Sequence, residues 1–167
     1  MRHCVLFVDN ERWKDVPFYI RTGKKLNRRE MEIVITFKRT NPDVDANVLL
    51  IRIQPTEGVY FQFNIKKPGD SDEIVTTSMD FCQSCSDFNR INTPEAYERL
   101  LQAAVQQDTS WFSKWDQIEY SWSYVEQLKE RMKQEQLPLF TYMADSDGPT
   151  EADELLMRHH HKWNSIS

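Results

Sequence analysis

Glycine is scarce in this chain: four residues in 167, at positions 23, 58, 69 and 148. The nearest two are eleven positions apart. Neither a G-x-G-x-x-G turn nor a Walker-type loop can therefore be written anywhere in it, which excludes both common glycine-rich devices for holding a dinucleotide or a nucleoside triphosphate. Histidine is equally restricted: three of the four stand together at 159–161, and the fourth is His3. Outside that triplet the chain offers a single side chain with an ordinary pKa near neutrality. That is too little for a Ser-His-Asp or Cys-His set, or for complete acid–base catalysis, and no residue is assigned a catalytic role. Cysteine occurs three times, an odd number that predicts reduced thiols in a cytoplasmic protein and not a disulfide framework. No apolar run approaches the ~20 residues needed to cross a bilayer. The run from Cys4 to Val8 stops at Asp9, too short for a secretory leader. A net charge of −5 gives no global attraction to nucleic acid or to anionic lipid, so neither is expected as a partner.

What is present describes a folded chain: 40% hydrophobic and 12% aromatic residues, enough to build one domain over 1–167. Met31, Ile33, Ile35 and Phe37 alternate with Glu32, Val34, Thr36 and Lys38. Val59, Phe61, Phe63 and Ile65 alternate with Tyr60, Gln62, Asn64 and Lys66 in the same way. Strict period-two alternation predicts half-exposed strands of an antiparallel sheet. Further strands are expected at 4–8, 16–20, 48–54 and 74–81, separated by the turn-rich stretches 40–43, 55–58 and 67–70.

The second half reads as helix. Thr93-Pro94 supplies an N-cap and a first-turn proline, followed by Ala96, Tyr97, Leu100, Leu101 and Ala104 at helical spacing. Ser113 with Asp116 resembles a capping box before a stripe of Trp115, Ile118, Trp122, Val125 and Leu128. A short third helix is expected near Thr150. Strands followed by helices predict an α+β fold, a large and mostly antiparallel sheet with helices covering one face. Val34, Tyr60, Ile51, Ile53 and Val75 are expected on the other face, a surface apolar enough to meet a second subunit or further chain.

The segment from Arg21 to Arg29 places five cations in nine residues of an acidic protein: Arg21, Lys24, Lys25, Arg28 and Arg29. Gly23 permits a positive φ, so the chain is expected to turn there and gather its neighbours. Cations on a strand-to-loop edge suit a compact dianion such as a sugar phosphate; a solvated basic loop is the plainer reading of the same residues. Cys82-Gln83-Ser84-Cys85 has metal or redox spacing but no second pair. The histidine triplet is read as a solvent-exposed tail, and no metal site is expected.

Six segments, taken in order, resemble the C-terminal part of glucose-6-phosphate dehydrogenase: Asp9–Trp13, Val16–Leu26, Ile51–Pro55, Met79–Phe81, Pro94–Leu101 and Gly148–Leu155. The resemblance implies an NADP-dependent oxidation of glucose 6-phosphate at its C1 hydroxyl to 6-phosphogluconolactone, in the oxidative pentose phosphate pathway. It implies an α+β domain that supplies part of the substrate site and a homodimer interface. Carried over by position, Lys24 matches the lysine of the R-x-G-K segment that contacts the sugar phosphate. Arg29 matches a second basic position facing the substrate, and Gln54 a glutamine near the sugar. Arg21 and Arg52 match positions that hold a second, structural NADP in some members, but Glu30 and Gln62 replace the lysines found there. No NADP is therefore expected on this chain itself. The glycine-rich turn and catalytic histidine segment of the family are not among these residues, so the chain is expected to be a truncated C-terminal portion, inactive alone. A non-catalytic dimerisation or regulatory module with the same fold is the alternative.

Overall fold

A computed structural model describes residues 2–69, 72–82 and 96–163. They fall into two compact units, Met1–Ile91 with Phe140–Ser167, and Asn92–Leu139.

The first unit holds all the strands of the described residues. β1 (Arg2–Leu6) pairs antiparallel with β2 (Phe18–Thr22), setting His3 opposite Arg21 and Val5 opposite Tyr19. The intervening turn closes locally: the Asn10 side-chain oxygen accepts from the Trp13 amide at 2.8 Å, and the Trp13 and Phe18 rings meet edge to face. The four remaining strands, β3 (Met31–Thr36), β4 (Val48–Gln54), β5 (Gly58–Lys66) and β6 (Ile74–Cys82), form an antiparallel meander in sequence order. The alternating segments thus became strands with bounds close to expectation, although the strands divide into two sheets. Short connections between consecutive strands favour this order. A Cβ on Gly58 would lie 2.6 Å from the Phe81 carbonyl oxygen, so glycine is required where β5 starts hard against the end of β6.

Register decides the faces. Ile33, Ile51, Val59 and Phe81 line up across the four strands, as do Ile35, Leu49, Phe61 and Met79. Side chains opposite one another in a ladder share a face, so this face is almost wholly apolar; the Phe61 ring stacks on Phe63 and meets Phe37 edge-on. Val34, Leu50, Tyr60 and Asp80 line up on the opposite face. The five residues expected together are therefore split: Val34 and Tyr60 lie on one face, Ile51 and Val75 on the other. Ile53 is the extra residue of a bulge, because Glu32 pairs with Arg52 whereas Met31 pairs with Gln54. Alternation within a strand gives each face of that strand but not which faces of two strands coincide.

Leu50 is 1% exposed and Val48 8%. A short helix, α3 (Glu151–Met157), begins after Thr150 as expected and packs against β1, burying Ala152 and Leu156.

The second unit comprises α1 (Ala96–Val105), a single 3₁₀ turn (Thr109–Trp111) and α2 (Trp115–Gln134). Thr93 and Pro94 lie outside the described residues. In α1, Ala103 is buried while Tyr97 and Leu101 are exposed. α2 starts one residue later than the expected capping box requires. Gln117, not Asp116, reaches back, its Oε1 accepting from the Lys114 amide at 3.2 Å.

Candidate functional site

The connection from β2 to β3 carries the basic loop. Arg28 is partly neutralised by Glu30 at 3.8 Å. Among the described residues Lys24, Lys25 and Arg29 make no ion pair, and all three are exposed. Unpaired cations in water attract a dianion without first breaking an internal contact.

The loop backbone is held by a segment more than a hundred residues away. The Tyr142 hydroxyl donates to the Lys24 carbonyl at 2.6 Å, and the Asp145 amide donates to the Lys25 carbonyl at 2.9 Å. The Asn27 amide donates to the Ser146 carbonyl at 3.1 Å and its side-chain nitrogen to the Asp147 carboxylate at 2.6 Å. Leu26 and Ser146 form a parallel bridge. Lys25 and Asp145 both adopt left-handed backbone, with φ of 57° and 60°. Gly23 does not: the turn occurs at Lys25. What glycine gives at 23 is room for the Tyr142 hydroxyl, since a Cβ there would stand 2.8 Å from it and displace it.

Gln54 ends β4, exposed, and pairs with Met31 at the start of β3. The fold thereby sets Gln54 beside the strand that Arg29 precedes by two residues. Lys24 belongs to the part of the loop tied to 142–147. No hydrogen bond among the described residues joins Lys24, Arg29 and Gln54 to one another; what they share is one loop and the sheet end it enters.

Next to the loop lies a mixed-charge cluster. Burial raises the Glu32 carboxyl above the ordinary range, with Glu30 adding to the rise and Arg21, Arg28 and Arg52 opposing it. Arg52 pairs with Asp80 at 3.3 Å, and Arg21 lies 4.6 Å from the centre of the Trp163 ring. The two arginines that the resemblance ties to a structural NADP are thus already engaged, one with a carboxylate and one with an indole. Glu30 and Glu32 add negative charge beside Arg21, Arg28 and Arg52, which disfavours a further phosphate on these arginines.

One sequence expectation is extended and one corrected. The histidine triplet is solvent-exposed as expected, and it is also tied back to the first sheet: Tyr19 Oη and His161 Nδ1 form a hydrogen bond of 2.8 Å, and the Tyr19 ring also contacts His159 and Trp163. Cys4 is free, whereas Cys82 is disulfide-bonded, against the expectation of reduced thiols; Cys85 lies outside the described residues. Among the described residues no group of three His, Cys, Asp or Glu is placed to hold a metal ion, and no helix is long and apolar enough to cross a membrane. Sequence reasoning missed the Tyr142 strap altogether, because nothing local marks a contact over 118 positions.

Residues 2–164 match the family model of the glucose-6-phosphate dehydrogenase C-terminal domain. The chain is 37% identical over 168 residues to glucose-6-phosphate 1-dehydrogenase of Bacillus subtilis and 41% identical over 170 residues to that of Chlamydia trachomatis. In each case 95% of this chain is covered, but only 34% and 38% of the relative. The chain therefore spans little more than a third of the length of these curated relatives. A solved glucose-6-phosphate dehydrogenase in complex with its substrate glucose 6-phosphate superposes with a TM-score of 0.80 at 33% identity, covering 96% of this chain and 34% of that one. This chain belongs to the family of glucose-6-phosphate dehydrogenase C-terminal domains.

Proposed function

We propose that residues 1–167 act as one substrate-binding and dimerisation domain of a cytoplasmic, NADP-dependent glucose-6-phosphate dehydrogenase, which oxidises glucose 6-phosphate to 6-phosphogluconolactone at the entry to the oxidative pentose phosphate pathway. Lys24 and Arg29 hold the phosphate dianion of the substrate, and the Gln54 amide binds a hydroxyl of the sugar. The observation that carries this reading is the pair of exposed cations, without an ion pair among the described residues, on a loop whose backbone is hydrogen-bonded at residues 24, 25 and 27. A held loop keeps its cations near a fixed position, so less entropy is lost when the ligand arrives.

NADP serves the complete enzyme as hydride acceptor. These residues contain no glycine-rich turn to hold it, and His3 is the sole histidine apart from the triplet. Hydride transfer needs base, acceptor and sugar in one geometry, so these 167 residues alone bind the sugar without oxidising it. The homodimer forms through the apolar sheet face carrying Ile33, Ile51, Phe61 and Met79, a surface too large and too apolar to leave in water.

The test is an NMR titration of the chain with glucose 6-phosphate, using inorganic phosphate and glucose as controls. Saturable shifts at Lys24, Arg29 and Gln54 that are specific to the phosphosugar support the reading. No response, or an equal response to phosphate, rejects it in favour of a non-catalytic module.

A further inference from the structure

Tyr142 lies far from the basic loop in sequence, yet its hydroxyl reaches the backbone carbonyl of Lys24, which is bonded to the α carbon that carries the Lys24 side chain. We propose that Tyr142 is a positioning residue for the sugar-phosphate site, fixing the direction of Lys24 through that carbonyl, with 145–147 holding the two positions beyond it. The inference rests on the reading of Lys24 as a phosphate contact.

Three features support it. The Tyr142 hydroxyl donates to Lys24 at 2.6 Å, the shortest of the backbone links between the two segments. Next, the adjacent residue is glycine, and any Cβ at 23 would meet that hydroxyl at 2.8 Å; the chain leaves room for the contact. Finally, the strained part of the loop is pinned on both sides. Lys25, at φ 57°, accepts from Asp145, itself at φ 60°. Left-handed backbone at a lysine persists only where neighbours over-determine it. The Tyr142 link, the Asp145 link and the Asn27–Asp147 pair supply that constraint, and none of them uses a cationic side chain. The cations are left to the ligand.

The variants are Tyr142→Phe, which keeps the ring and removes only the donor, and Gly23→Ala, which displaces the hydroxyl by a different route. Each should raise Kd for glucose 6-phosphate roughly three- to tenfold, the span of one neutral hydrogen bond. If both act through the same contact, the double variant should be no worse than either single one. In a Lys24→Ala background Tyr142→Phe should have no further effect on Kd, an outcome that a general loss of stability would not produce. Amide hydrogen exchange at Asn27 and Asp145 should accelerate in Tyr142→Phe. An unchanged Kd with unchanged exchange overturns the proposal, as does a full additional loss in the Lys24→Ala background. If the wild-type chain binds no phosphosugar, the functional reading fails, and exchange alone then decides the strap: faster exchange supports it and unchanged exchange overturns it. Should Tyr142→Phe fail to fold, Asn27→Ala removes the 2.6 Å link to Asp147 and is held to the same two readouts.

Discussion

Replacing Lys24 by alanine tests recognition apart from folding, because the proposed phosphate contact and the observed backbone link use different atoms of one residue. The backbone carbonyl belongs to the strap; the ammonium is exposed and unpaired among the described residues. Losing one charge-assisted hydrogen bond to a phosphate costs about 1.5–3 kcal/mol, and at about 1.4 kcal/mol per factor of ten Kd should rise roughly ten- to a hundredfold. Stability should move by less than about 0.5 kcal/mol, as for an exposed side chain without partners. In a chain of this size that is a melting shift below about 2 °C. Calorimetric titration with glucose 6-phosphate gives the first quantity and a thermal melt the second. Lys24→Arg is the control: it keeps the charge but replaces a compact ammonium with a planar fork, and should recover part of the affinity. A Kd within twofold of wild type, or a melting temperature lower by more than about 4 °C, would refute the reasoning.

Leu50→Ala should destabilise the chain by about 2–5 kcal/mol, since Leu50 is 1% exposed and truncation leaves a cavity; urea denaturation followed by circular dichroism measures it. Ile33→Lys combined with Met79→Lys places charge on the apolar sheet face and should shift the chain to monomer in sedimentation equilibrium, whereas an unchanged mass would remove that face as the dimer surface. Glu32, whose carboxyl is raised by burial, binds its proton more tightly folded than unfolded. Its contribution to stability is therefore present below the ordinary glutamate pKa of about 4.3 and is lost as pH rises through the folded value. Glu32→Gln should accordingly raise the melting temperature at neutral pH, with a gain that fades toward pH 4; a gain independent of pH would contradict the sign.

Much of the strand pattern was legible along the chain. Alternation at 31–38 and 59–66 yielded β3 and β5 because a pleated strand sends successive side chains to opposite sides, and Thr150 marked the start of α3. The cluster of five cations was equally visible, being contiguous. Cross-strand facts were not. Val34 and Ile51 read alike in one dimension, and only the ladder register puts them on opposite faces. The capping box moved by one residue because Gln117 and Asp116 are both competent partners, and only the actual first turn chooses between them.

The candidate site divides in the same way. Lys24, Arg29 and Gln54 were chosen from the sequence by charge, spacing and resemblance, all of them local properties. Tertiary structure alone decided that Gln54 lies beside the entry to β3, that Gly23 leaves room for the Tyr142 hydroxyl and has no positive φ, and that Tyr142 and 145–147 hold the loop. Residue type and periodicity are written along the chain because they depend on near neighbours. Which carbonyl a tyrosine 118 positions away will reach depends on how every intervening element packs, and that is settled only when the chain closes on itself.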